Sequence, residues 1–158
     1  MDLIVKLPLS DGFDSILTIM DHNCSKAAIF IPCHEIATTS DIANLYVQHV
    51  FPHYGTPHKI ITDQDTDFAS HFPRELCRIL DIKQNISLAY HPQTDGQSKR
   101  TNQWLKQYLC IFVDHCQTTW HHWLPLAQYI HNAWPNSTTT KTPFDLIMGH
   151  TPRTHHPQ

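Results

Sequence analysis

Nowhere in the chain do eighteen apolar residues run unbroken, and about that many are needed to read as a membrane-spanning helix. Residues 1–20 also lack the charged start and small-residue cleavage site of a secretory signal. A soluble, intracellular domain with no membrane partner is the expectation. No C-x-x-C pair is present, and the five cysteines (Cys24, Cys33, Cys77, Cys110 and Cys116) are odd in number. A disulfide framework and a zinc ribbon are therefore disfavoured. A basic surplus is missing as well, since 11 Lys plus Arg stand against 14 Asp plus Glu, a formal charge of -3 with histidine neutral. Neither an internal repeat nor an interdomain linker is visible.

What is there suffices for one domain. A chain of 158 residues, 41% of them hydrophobic, can bury about two-thirds of its unfolded surface around a single core. Histidine is abundant: protonating all 14 would carry the formal charge from -3 to +11, and the unperturbed imidazole titrates near physiological pH. Acidification then favours polyanion binding, although a compositional bias of the source genome is the simpler explanation of the count. The local pairs His121-His122 and His155-His156 lack the i, i+4 spacing that sets two ligands on one helix face.

Patterning predicts an α/β domain. Residues 2–7, 14–21 and 27–33 read as three strands of a meander, with Ser10-Asp11-Gly12 as the first turn. Thr39-Ser40-Asp41 offers helix caps, and Ile42, Leu45, Tyr46 and Val50 recur at helical steps, so an amphipathic helix is expected to end near Gly55. A strand over 58–62, a helix over 70–80 with Pro73 in its first turn, and a strand over 82–87 follow. Helical patterns then occupy about 98–116, 119–134 and 143–148, the last stopped by Gly149. Strands first, helices last and a strand-helix-strand crossover between them suggest a mixed sheet covered by helices. Residues 1–150 form the predicted domain and 151–158 a frayed tail.

Two acids sit where chemistry is expected. Asp2 lies in the first strand, and Asp63 follows Ile60-Ile61-Thr62 at the carboxyl end of the fourth, the side on which open α/β sheets place their sites. Carboxylates on neighbouring strands can share a hard divalent cation, although an aspartate after a strand also serves as a turn former or helix cap. The run Asp63-Gln64-Asp65-Thr66-Asp67 opens like a calcium loop, but Phe68 stands where glycine is required and Arg74 where a bidentate glutamate is required.

The stretches Asp2-Leu3-Ile4 with Leu7-Pro8, Ile61-Thr62-Asp63, Tyr90-His91-Pro92-Gln93-Thr94-Asp95-Gly96-Gln97, and Leu124-Pro125-Leu126-Ala127 with Thr142-Pro143-Phe144 closely resemble the integrase catalytic core of gypsy-class long-terminal-repeat retrotransposons, a retroviral-type integrase. The resemblance covers nearly the whole chain, and the octet from Tyr90 matches letter for letter. It implies an RNase H-like fold, a five-stranded mixed sheet flanked by helices. It implies too a site in which two aspartates and a glutamate hold two Mg²⁺ (or Mn²⁺) ions for 3′-end processing and strand transfer. Its partners would be DNA, both retrotransposon ends and target, and further copies of the chain in a homo-oligomer, acting in the nucleus. The two aspartates map onto Asp2 and Asp63, the expected catalytic and metal residues.

The glutamate, after thirty-five intervening residues, maps onto position 99, and this chain has Lys99 there. Lysine offers three donors and no lone pair, so it cannot ligate a cation and adds a positive charge where two dications belong. Impaired catalysis is the expectation. The alternative is a non-enzymatic DNA-binding or dimerisation module derived from such an integrase. Lys99, Gln103 and Lys106 recur on one helix face with Arg100 and Asn102 beside them, and together with His91, Gln93 and Gln97 they are the expected nucleic-acid contacts. Trp104, Leu105, Tyr108, Leu109 and Phe112 on the other face, and Trp120, Trp123 and Trp134 beyond, are expected in the core, with a subunit interface as the alternative for part of the latter surface. The family's preceding zinc-binding region and following small β-domain are not found in these residues, so a fragment, an excised domain or a truncated reading frame is expected.

Overall fold

The computed structural model describes residues 1–62, 66–83, 86–90, 96–113 and 118–153. Strands β1 (Asp2–Ile4), β2 (Ser15–Met20) and β3 (Ala28–Cys33) form an antiparallel sheet in that order. Asp11 and Gly12, both at positive φ, close a two-residue turn between paired Ser10 and Phe13, the backbone that Asp-Gly favours. Helices α1 (Thr39–His49) and α2 (Phe51–Tyr54), strand β4 (Lys59–Thr62), helix α3 (Thr66–Leu80) and strand β5 (Ser87–Tyr90) follow. Three helices complete the order, α4 (Gly96–Phe112), α5 (Trp120–Ala133) and α6 (Pro143–Met148). Strand β5 pairs parallel to β4 in a separate two-stranded sheet. The expected single five-stranded ladder is thus divided, and the Met1 main-chain nitrogen donates across the division to Ile61 O at 2.6 Å.

Alternation along the strands makes two cores. Leu17, Ile29, Ile31 and Cys33 pack with Ile42, Tyr46, Phe72 and Leu76 of α1 and α3, while Ile4, Ile16, Ala28 and Phe30 pack with Leu105, Leu109, Trp120 and Leu124 of α4 and α5. The sheet is therefore covered on both faces.

Several expected boundaries move for physical reasons. The helix expected to run to Gly55 breaks at Val50, because Pro52 has no N–H to continue it and restarts the chain as α2. Helix α3 begins at Thr66 rather than 70, so Pro73 lies inside it; Ala69, Phe72 and Leu76 at helical steps are all buried and hold it to α1. The last strand is 87–90 instead of 82–87, since its register is set by its parallel partner, with Lys59 opposite Ser87 and Thr62 opposite Tyr90. Thr151 Oγ1 donates to Asp145 and Tyr129 to Pro152 O, so the first residues after α6 are tied down.

Candidate functional site

Asp2 is 8% exposed at the start of β1, opposite Thr18 of β2. Its Oδ1 accepts from the Leu3 amide at 2.8 Å and its Oδ2 from Asn102 Nδ2 at 2.6 Å. The second contact exists because α4 packs its Thr101, Asn102, Leu105 and Leu109 side against the sheet. Asn102, expected at phosphate, is buried and committed to Asp2 instead. That bond is invisible in sequence, since it depends on how α4 docks on β1 and not on spacing within α4.

The opposite side of α4 is solvated. Lys99, Gln103 and Lys106 are exposed and, with Asp2, line an open groove of about 790 Å³. The remaining expected contacts do not share this groove: Gln97 and Arg100 line a second hollow across the helix. Arg100 Nε donates to Gly96 O at 3.0 Å, and Gln97 Oε1 accepts from Lys26 Nζ at 3.3 Å. The single basic face expected from sequence is split in two, because a straight helix turns 97 and 100 away from 99, 103 and 106. Asp63, His91 and Gln93 lie outside the described residues.

The β2–β3 loop steadies the start of α4, a connection that no sequence motif announces. His22 Nε2 lies 3.1 Å from Ser98 Oγ, and buried Lys26 donates to His22 O as well as to Gln97. Asp21 folds the loop by accepting from the amides of Asn23, Cys24 and Ser25 and from the Ser25 hydroxyl. Burial alone would raise the Asp21 carboxyl, but these bonds outweigh it and hold it below its ordinary range.

The described residues do not fit a pair of divalent ions. One carboxylate stands in the groove with two lysines, position 99 supplies no lone pair, and no group of three His, Cys, Asp or Glu suited to a metal occurs among the described residues. A hydrolytic reading fares no better. Ser10 Oγ lies 2.9 Å from His121 Nδ1, and His121 Nε2 lies 3.4 Å from Asp11, but Ser10 is fully buried and no substrate can reach it. The contact ties the first turn to α5, as does Trp120 Nε1 donating to Pro8 O at 2.6 Å. Trp134, expected in the core, is 74% exposed, because it sits one residue past α5 with extended backbone and leaves the helix face.

No protein-family model matches the chain. It is 35% identical over 153 residues, 96% of its length, to the Transposon Tf2-3 and Tf2-4 polyproteins of Schizosaccharomyces pombe, and it spans 11% of the length of those polyproteins. Among solved structures it resembles the HTLV-2 integrase catalytic core domain in complex with magnesium, trimeric form, with a TM-score of 0.66 and 19% identity, covering 92% of this chain and 93% of that one. It also resembles a chain of the simian T-cell lymphotropic virus intasome, with a TM-score of 0.69 and 22% identity, covering 99% of this chain and 56% of that one. The catalytic core of BIV integrase superposes at 0.61 with 18% identity, over 94% and 93% of the two chains. The chain thus resembles a segment of retrotransposon polyproteins in sequence and the integrase catalytic cores in fold, an RNase H-like α/β fold.

Proposed function

We propose that this chain is an integrase core that binds DNA along the Lys99, Gln103 and Lys106 face of α4 and is crippled in Mg²⁺-dependent end processing and strand transfer. The observation that carries the reading is the presence of Lys99 in the groove that contains Asp2. A phosphate backbone laid in this groove meets two ammonium groups and the Gln103 amide, contacts that position a duplex without reading its sequence. The same two ammonium groups oppose dications there, and Lys99 removes one of the three carboxylates that a two-ion site uses.

The polyprotein relatives support retrotransposon DNA as the partner, and on that reading the place of action is the nucleus. The dimeric and trimeric forms of the HTLV-2 core support a homo-oligomer. The Met1 to Ile61 bond supports β1 and β4 as neighbours in one five-stranded layer, which would bring Asp2 beside the end of β4, where Asp63 follows.

Strand transfer on a labelled oligonucleotide, with Mg²⁺ binding followed by calorimetry, tests the proposal. The unaltered chain is expected to bind duplex DNA, hold Mg²⁺ weakly and give no product, and Lys99→Glu is expected to strengthen Mg²⁺ binding. Robust Mg²⁺-dependent product from the unaltered chain, abolished by Asp63→Asn, would show that the site is intact.

A further inference from the structure

One histidine at the far end of the sheet is held the way metal ligands are held. His121 opens α5, and its Nδ1 lies 2.9 Å from Oγ of the fully buried Ser10, which also accepts from the His121 amide at 3.3 Å. Phe13 and Trp120 flank the ring at centroid distances of 6.3 and 6.4 Å. With Nδ1–H donating to Ser10, Nε2 keeps the lone pair that a metal takes, and a partner of this kind on the other ring nitrogen accompanies nearly every ligating histidine.

Nε2 faces Asp11 Oδ2 at 3.4 Å. A charge-assisted hydrogen bond closes to about 2.7–2.9 Å, so the pair stands wider than bonding needs. Zn²⁺ holds nitrogen and oxygen ligands at about 2.0–2.2 Å in a tetrahedron, which sets two ligand atoms about 3.3–3.5 Å apart. The pair has that spacing. Asp11 is fixed at φ 50° in the turn closed by Ser10 and Phe13, yet its side chain is 74% exposed, so an ion can enter from solvent. His122, exposed, has its ring centroid 3.8 Å from that of His121, and turning its side chain would offer a further nitrogen.

We propose that His121 and Asp11 form a surface site for a zinc-type divalent ion, with His122 turning to supply a third ligand and water completing the tetrahedron. Imidazole beside carboxylate suits such an ion, whereas Mg²⁺ prefers an all-oxygen shell. The bound ion would staple the first turn to α5, where Ser10 and Trp120 already join them. The site shares no residue with the groove that contains Asp2, so it stands or falls independently of the DNA reading.

Calorimetric titration of the full chain with Zn²⁺, in the presence of excess Mg²⁺, tests this. The unaltered chain is expected to bind Zn²⁺ saturably and to melt at a higher temperature with the ion than without it. Asp11→Asn keeps a residue that tolerates positive φ and removes only an exposed ion pair of small worth, so its zinc-free melting should match the parent. Loss of an outer partner alone weakens metal sites about 10–100-fold, so loss of the Asp11 carboxylate should cost tenfold or more in Zn²⁺ affinity and abolish the gain in melting temperature. His122→Ala should weaken binding less, and His53→Ala, at an exposed histidine of α2, should leave it as it was. A readout that needs no variant is the imidazole ¹⁵N resonance of His121 Nε2, which Zn²⁺ should shift while that of buried His131 stays in place. Absence of saturable binding, an affinity unchanged by Asp11→Asn, a loss as large with His53→Ala, or an unmoved His121 resonance would each overturn the proposal and leave a plain ion pair.

Discussion

Replacing Asn132 by alanine should cost more stability than its small volume suggests. Strand β3 is the outer strand of the antiparallel sheet, and its free edge is a pairing template that soluble proteins must cover. Helix α5 covers it with two amide side chains one turn apart. Asn132 Oδ1 accepts from Ala28 N at 2.9 Å, Asn132 Nδ2 donates to Ala28 O at 2.9 Å, and Gln128 Oε1 accepts from Phe30 N at 3.0 Å. Asn132 is 4% exposed, so truncation leaves one buried donor and one buried acceptor of the backbone unmatched. At about 1–3 kcal/mol for each unsatisfied group, Asn132→Ala should destabilise the fold by about 2–6 kcal/mol. Gln128→Ala strands one donor, and about 1–3 kcal/mol follows from the same figure. Asn132→Asp keeps an acceptor for Ala28 N but sets an oxygen against Ala28 O, so it should fall near the alanine variant and not near the parent. Urea unfolding followed by tryptophan fluorescence reads these values, with the midpoint moving at constant slope. A shift for Asn132→Ala below about 0.5 kcal/mol, the scale of neutral surface changes, would refute the account of the edge.

Other outcomes follow from charge and burial. Duplex binding should weaken steeply with salt, and Lys106→Ala should lower the slope of log affinity against log salt by about one; fluorescence anisotropy across a salt series checks this, and binding at pH 6 should exceed that at pH 8 as histidines gain protons. Burial holds the His131 imidazole below its ordinary range, so below about pH 6.5 the unfolded chain binds a proton that the native site resists. This contribution to stability is present above that pH and is lost as pH falls, with a limiting slope of about 1.4 kcal/mol per pH unit; His131→Phe should flatten the acid limb of the melting-temperature profile. Burial pushes the Cys33 thiol up to about 11, so in the native state an alkylating reagent should modify exposed Cys110 and spare Cys33, as peptide mapping by mass spectrometry would show.

How far the sequence could be read depended on the range of the interaction. Thr142-Pro143 with Gly149 marked α6 at both ends, and the structure caps it with the Thr142 hydroxyl, Pro143 in the first turn and Gly149 at φ 77°. Asp11-Gly12 marked its turn for the same local reason. The break at Val50 is equally local, since Pro52 interrupts the helix that the apolar period through Ile42, Tyr46 and Val50 would continue. By contrast, β5 was misplaced because a parallel strand takes its register from β4, which lies across a whole helix in sequence. Trp134 was misassigned because one residue of extended backbone after α5 is enough to take a ring out of the core.

The candidate site divides along the same line. The motif resemblance sets Lys99 at the glutamate's place, and the chemistry of a lysine there needs no coordinates. What that lysine accompanies does need them. Asn102 looked like one more polar side chain on a DNA-facing helix, yet docking of α4 on β1 makes it the donor to the one described acid of the groove. A charge-assisted bond of this kind is stronger than a neutral one, so Asp2 retains a hydrogen-bond partner whether or not a cation is near. On the proposed reading, a groove whose described acid keeps its bond to Asn102 can lose catalysis at position 99 while the fold still presents its lysine face to DNA.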